Sequence, residues 1–161
     1  CYRTIAEVLE AALRQLGVDA SLAPGRPGTG QGRDTRALCF SSPAQYELVA
    51  NGRKLIGSAQ KRRGQAFLQH GSIPITLDLP LLTKLLKIDT AATERLAKVG
   101  WLSALTTRPL TLFDLEESLL QAFTQKLGAD WQESVLRCRE QERAQYLHDV
   151  QFSCDSWTLK R

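Results

Sequence analysis

Hydrophobic and polar positions follow two rhythms along the chain. Over Tyr2–Leu16 the apolar residues fall at Ile5, Val8, Leu9, Ala12, Leu13 and Leu16. This three-and-four spacing gives a helix one apolar face, and Gly17 stands where a left-handed terminator belongs. Ala20–Leu22 reads as a short strand, and Tyr46–Ala50 as another. Asn51-Gly52 then gives the strongest hairpin signal in the chain, because both residues tolerate positive φ. The spacing predicts a return strand over Lys54–Gln60, a turn through Lys61–Gly64 and a third strand over Gln65–Leu77, together an antiparallel meander. The rest reads as helical: Leu79–Leu86, Thr90–Ala97, Leu112–Leu127 and Glu133–Val150. The clearest is Leu112–Leu127, with Leu112, Leu115, Leu119, Leu120 and Phe123 on one face. Antiparallel strands with segregated helices predict an α+β fold.

Composition narrows the function classes. A chain of 161 residues with 43% apolar and 24% charged residues has the size and make-up of one globular domain with a real core. The net charge of +4 is far from the excess of a dedicated nucleic-acid binder and favours acidic partners slightly. The longest apolar stretch, Leu77–Leu86, is cut by Asp78, Pro80 and Lys84, so no membrane span is expected. No charged-then-apolar leader is visible, and the expected location is the cytoplasm. Cys1, Cys39, Cys138 and Cys154 lie far apart with no CxxC pair, which argues for a reducing compartment and against a disulfide framework or zinc site. The chain opens at Cys1 in a helical pattern and holds no methionine, so a partial sequence is expected.

Candidate chemistry concentrates between Cys39 and Gly71. Gly28–Arg33 has the look of a phosphate loop but lacks the third glycine of GxGxxG and the Gly-Lys-Ser/Thr of a P-loop; a surface loop fits it better. Lys61-Arg62-Arg63 reads as a solvated tip, with contact to an acidic carrier protein as the functional alternative. His148 reads as structural or exposed, and Cys138 and Cys154 as inert. Cys39 precedes the hairpin, and the Asn51-Gly52 turn folds Lys54 back toward the segment after it. A thiol becomes a nucleophile as its thiolate, which a nearby cation favours; one Cys and one Lys alone do not separate a nucleophile from core filler. Gly57, Ser58, Ala59 and Gln60 place small residues inside a strand, which often marks close approach of a ligand or another backbone. Gly71 carries the same signal, and His70 beside it reads equally as a core histidine or a ligand-facing group.

The run from Cys39 to Ile75 closely resembles the lipoate/biotin protein-ligase superfamily. Gly52-Arg-Lys-x-x-Gly-Ser-Ala-Gln60 and Gln69-His-Gly-Ser-Ile73 carry the likeness, which extends over nearly the whole chain. Within that superfamily the chain is most similar to octanoyltransferases with a cysteine just before the hairpin, whose Cys-Phe-x-x-Pro-x-x-Tyr-Glu-Leu pattern falls on Cys39-Phe40, Pro43 and Tyr46-Glu47-Leu48.

The resemblance implies a ligase-like α+β fold of the class II synthetase type, with an antiparallel or mixed sheet and flanking helices, here only in part. Residues 1–128 would be the C-terminal part of the catalytic domain and residues 129–161 its helical extension. It further implies Cys39 as acyl-thioester nucleophile and Lys54 as the cation that lowers its pKa. Gly57, Ser58, Ala59, Gln60, His70 and Gly71 would line the acyl site. The implied reaction moves octanoyl from acyl-carrier protein to a lysine of a lipoyl domain or of the glycine-cleavage H protein, with no cofactor. An ATP-dependent lipoate–protein ligase is the alternative, with ATP and Mg and with Lys54 on the acyl-adenylate; an accessory fragment of a split ligase is another. The family's Arg-Arg-x-Ser/Thr-Gly-Gly segment, expected upstream of the first helix, is not in this sequence: Arg62-Arg63 is followed by Gly64-Gln65.

Overall fold

A computed structural model describes residues 2–23, 46–86 and 96–160. The chain divides into two compact units, Cys1–Ala129 and Asp130–Arg161.

In the first unit, helix α1 (Tyr2–Gln15) buries Ala6, Val8, Ala12 and Leu13. It ends at Gly17, whose φ of 81° lets the Val18 amide donate back to the Leu13 carbonyl at 3.0 Å, the closure expected of a glycine-terminated helix. Strand β1 (Ser21–Leu22) pairs antiparallel with β2 (Leu48–Ala50), which pairs antiparallel with β3 (Arg53–Lys54). Asn51 and Gly52 turn at φ 48° and 70°, the two positive angles of a tight hairpin whose twist matches its strands. Helix α2 spans Leu79–Leu86, and the Leu81 amide donates to Asp78 Oδ1 at 2.9 Å, capping its start.

The three-stranded meander expected from Tyr46 to Leu77 does not form. The return segment breaks after β3, and β4 (Gly57–Arg63) pairs instead with β5 (Ala66–Ser72) as a separate two-stranded ribbon. The reason lies at Leu55 and Ile56, consecutive residues that are both buried. A strand with one wet face alternates sides and cannot bury two neighbours in a row, so the backbone bends there. The ribbon's turn is Gly64-Gln65, with Gly64 at φ 60°, and Lys61–Arg63 belong to β4 rather than to the turn.

Helix α3 (Leu112–Leu127) starts on a capping box: the Asp114 amide donates to Thr111 Oγ1, and the Thr111 amide donates to Asp114 Oδ2. Its buried stripe differs from the expected one. Leu115, Ser118 and Ala122 are buried, with Leu119 and Phe123 packed beside them, whereas Leu112 and Leu120 are exposed. Small residues win because α1 crosses closely: Ala12 and Ala122 are fully enclosed, and Ser118 Oγ donates to the Ala12 carbonyl at 2.7 Å. The main core joins α1, the first sheet, Leu102, Leu110 and Leu115. Of the helix expected at Thr90–Ala97, residues 90–95 lie outside the described residues.

The second unit contains α4 (Cys138–Leu147), a π turn (His148–Phe152) and α5 (Asp155–Thr158). The helix expected from Glu133 begins later, where Glu140 Oε2 accepts from the Arg137 amide at 2.7 Å and fixes the first turn. His148 is exposed beside Asp149, Cys138 is exposed, and Cys154 Sγ donates to the Asp149 carbonyl. No described helix is long and apolar enough to cross a membrane.

Candidate active site

Lys54 is placed from both sides of its backbone. Its amide donates to the Lys98 carbonyl and its carbonyl accepts from the Gly100 amide, each at 2.8 Å, so β3 is flanked by β2 and, through an isolated parallel bridge, by Val99. Gly100 is needed for this approach. A Cβ there would stand 2.6 Å from Leu55 Cδ2, closer than carbon atoms approach, and a tight 3.2 Å from Arg53 Cβ.

The side chain of Lys54 is buried in company. Its Nζ lies 2.8 Å from Glu47 Oε2, and the two side chains are only 4% and 5% exposed. Two charges out of water are tolerated only when paired, and pairing fixes the ammonium in place. Hairpin geometry makes the pair: Val49 stands opposite Lys54, so Glu47, two residues before Val49, is a diagonal neighbour on the same face. The residue before it, Tyr46, adopts φ 64°, a strained angle of the kind that collects at functional sites. Tyr2, at the start of α1, joins the cluster. Burial pushes its phenol above the ordinary tyrosine value and the Glu47 carboxylate adds to this, while a hydrogen bond with the Ser58 side chain works the other way. Tyr2, Glu47, Lys54 and Ser58 thus form one connected polar group against the core.

The ribbon register sorts the remaining expected residues. Ser58 stands opposite Gly71, Ala59 opposite His70 and Gln60 opposite Gln69, with Gln60 Nε2 donating to Gln69 Oε1 at 2.8 Å. Because directly opposed residues share a face and neighbours alternate, Ser58, Gln60 and Gly71 share the face that meets Tyr2. Gly57, Ala59 and His70 lie on the other, and His70 is exposed rather than set in a core. Gly71 is explained by crowding: a Cβ would come within 2.8 Å of the Gly57 carbonyl oxygen and 3.0 Å of Ser58 Oγ. Cys39 lies outside the described residues, as does the Gly28–Arg33 loop. Among the described residues no group of His, Cys, Asp and Glu is arranged to hold a metal. Sequence reasoning had Glu47 only as part of a motif and missed Tyr2 and Gly100. A carboxylate two residues before the position facing a hairpin lysine was the available signal for Glu47.

The lipoyl protein ligase A/B catalytic domain matches this chain over residues 1–124. The chain belongs to that family. Within the family it is 34% identical to the octanoyltransferase LipM of Symbiobacterium thermophilum, over 99% of the chain and 61% of the relative. The lipoyl ligase fold is equally plain in solved structures. A lipoate-protein ligase A bound with ATP superposes with a TM-score of 0.74 at 26% identity, covering 97% of this chain and 57% of that one. A bi-partite lipoate protein ligase from Thermoplasma acidophilum, described with its E2 lipoyl domain, superposes with a TM-score of 0.68 at 22% identity, over 97% and 56%. The chain spans about three fifths of the length of the curated relatives it matches, 61% for the first.

Proposed function

We propose that the protein is an octanoyltransferase of lipoate assembly, working through an octanoyl thioester on Cys39. The observation that carries this reading is the likeness to octanoyltransferase LipM along 99% of the chain, joined to a buried, ion-paired Lys54 in the matching hairpin. Residues 1–128 act as the C-terminal part of the catalytic domain and residues 129–161 as its helical extension, in the cytoplasm.

The donor is octanoyl-acyl-carrier protein. The Cys39 thiolate adds to the thioester carbonyl, the oxyanion collapses, and the carrier's thiolate leaves and takes up a proton. The ε-amine of a lysine on a lipoyl domain or on the glycine-cleavage H protein then adds to the Cys39 thioester. It loses a proton, and expulsion of the Cys39 thiolate leaves an amide. Neither step needs ATP. Lys54 supplies positive charge for the thiolate and for both oxyanions; Glu47 holds it in place. Ser58, Gln60 and Gly71 bound the acyl chain on the Tyr2 face, with Gly57, Ala59 and His70 shaping the ribbon behind them.

The ligase reading has one observation in its favour, the ATP-bound ligase A among the solved relatives. Activity on a lipoyl domain separates the two. Cys39→Ser is expected to lower octanoyl transfer at least about a hundredfold, as loss of a nucleophile does, with no rescue by ATP and free octanoate. Full activity of Cys39→Ser together with a requirement for ATP would establish the ligase instead.

A further inference from the structure

From Asn51 to Leu77 the chain contains Arg53, Lys54, Lys61, Arg62 and Arg63 and not one Asp or Glu. Lys54 is buried beside Glu47 and offers no charge at the surface. The other cations are exposed, and Lys61, Arg62 and Arg63 lie together at the far end of β4, opposite Leu68, Phe67 and Ala66. Among the described residues none of these three makes an ion pair with a carboxylate. Arg62 Nε donates to Gln60 Oε1 at 3.1 Å and its guanidinium sits 5.8 Å from the Phe67 ring centre, so the charge is held in position. Phe67 and Leu68 are themselves 44% and 67% exposed. By the alternation of the ribbon, Arg62 and Phe67 share one face of its end and Lys61, Arg63 and Leu68 the other. Each face thus sets an exposed apolar side chain beside a cation, the pairing found in protein docking patches.

We infer that the end of the β4–β5 ribbon docks an acidic carrier protein, the donor of the acyl group. This rests on the transferase reading for the carrier's identity. Distance selects the donor over the acceptor. At the 3.3 Å rise of a strand, Lys61 lies up to about 23 Å along the chain from Lys54. A donor that presents its acyl group on a long flexible arm can dock that far off and still deliver to the site. An acceptor must bring a lysine amine, on a much shorter side chain, to the reacting carbonyl, and so must sit over the site itself. Like charges without carboxylates between them would also steer an acidic partner toward this end.

The test is a titration of the protein with fluorescently labelled octanoyl-acyl-carrier protein whose thioester is replaced by a stable amide, at low ionic strength. Lys61→Glu/Arg62→Glu/Arg63→Glu is expected to weaken binding at least about tenfold, while binding of a lipoyl domain is unchanged. Lys61→Gln/Arg62→Gln/Arg63→Gln, which removes charge without adding repulsion, should fall between, and its thermal melt shows whether the fold is kept. Wild-type binding should weaken with added salt more steeply than that of either variant. Unchanged carrier affinity in the reversed-charge variant, or loss confined to the lipoyl domain, would overturn the inference. Acylation of wild-type Cys39 by an octanoyl thioester of a small thiol is read alongside. Its failure would count against the transferase reading, whereas the carrier titration alone decides the docking site.

Discussion

At the residue scale the account turns on Lys54 and the carboxylate that faces it. Glu47 and Lys54 are buried together at 2.8 Å, and removing one takes away a charge that balances the other in the interior. Glu47→Gln is expected to destabilise the first unit by about 3–5 kcal/mol, with Glu47→Gln/Lys54→Met recovering much of that loss. Urea unfolding of the two variants checks it: equal stability of Glu47→Gln and wild type would mean the pair is not formed in solution. Lys54 was legible in the sequence because a hairpin turn and a run of small residues bracket it. Glu47 was half legible, since the register of an Asn-Gly hairpin puts the two on one face. Tyr2 and Gly100 were not. Tyr2 reaches Ser58 across 56 positions, and Gly100 is crowded by Leu55 and Arg53, so neither contact has a local signature.

At the scale of elements, local chemistry predicted what local chemistry controls. Tyr2–Leu16 with its glycine terminator and Leu112–Leu127 formed within a residue of their expected bounds, and the Asn51-Gly52 turn formed where expected although its return strand stops at Lys54. The meander failed because burial of both Leu55 and Ile56 is a tertiary demand that no alternation pattern announces. The stripe on α3 shifted for a similar reason: Ser118 and Ala122 are chosen for closeness to α1, not for apolarity. Its N-terminal cap gives a pH prediction. Hydrogen bonds from the Thr111 side chain and backbone, then from Arg108, hold the Asp114 carboxyl down at about 2. A carboxyl depressed in the folded state stabilises above its unfolded value near 4 and loses that contribution as pH falls toward 2. Thr111→Ala should cost about 1 kcal/mol at neutral pH and less in acid. Thermal melts from pH 5 to pH 2 measure this, and a deficit that stays constant with pH would contradict the cap's role.

At the scale of the whole molecule, the sequence resemblance and the fold converge on the lipoyl protein ligase family. What the chain itself contributes is a lysine held in a buried ion pair, a crowded two-stranded ribbon beside it and a basic end to that ribbon. The polar group made by Tyr2, Glu47, Lys54 and Ser58 ties α1, the first sheet and the ribbon to one point, as expected if that point is where chemistry is done. The central claim is that acyl transfer passes through Cys39 without ATP. Its most direct measurement is the intact mass of the protein after brief incubation with octanoyl-acyl-carrier protein alone, followed by peptide mapping. A gain of one octanoyl group on Cys39 is expected, removed by hydroxylamine and discharged by a lipoyl domain. An unmodified Cys39, with octanoyl reaching the lipoyl domain only when ATP is added, would contradict it.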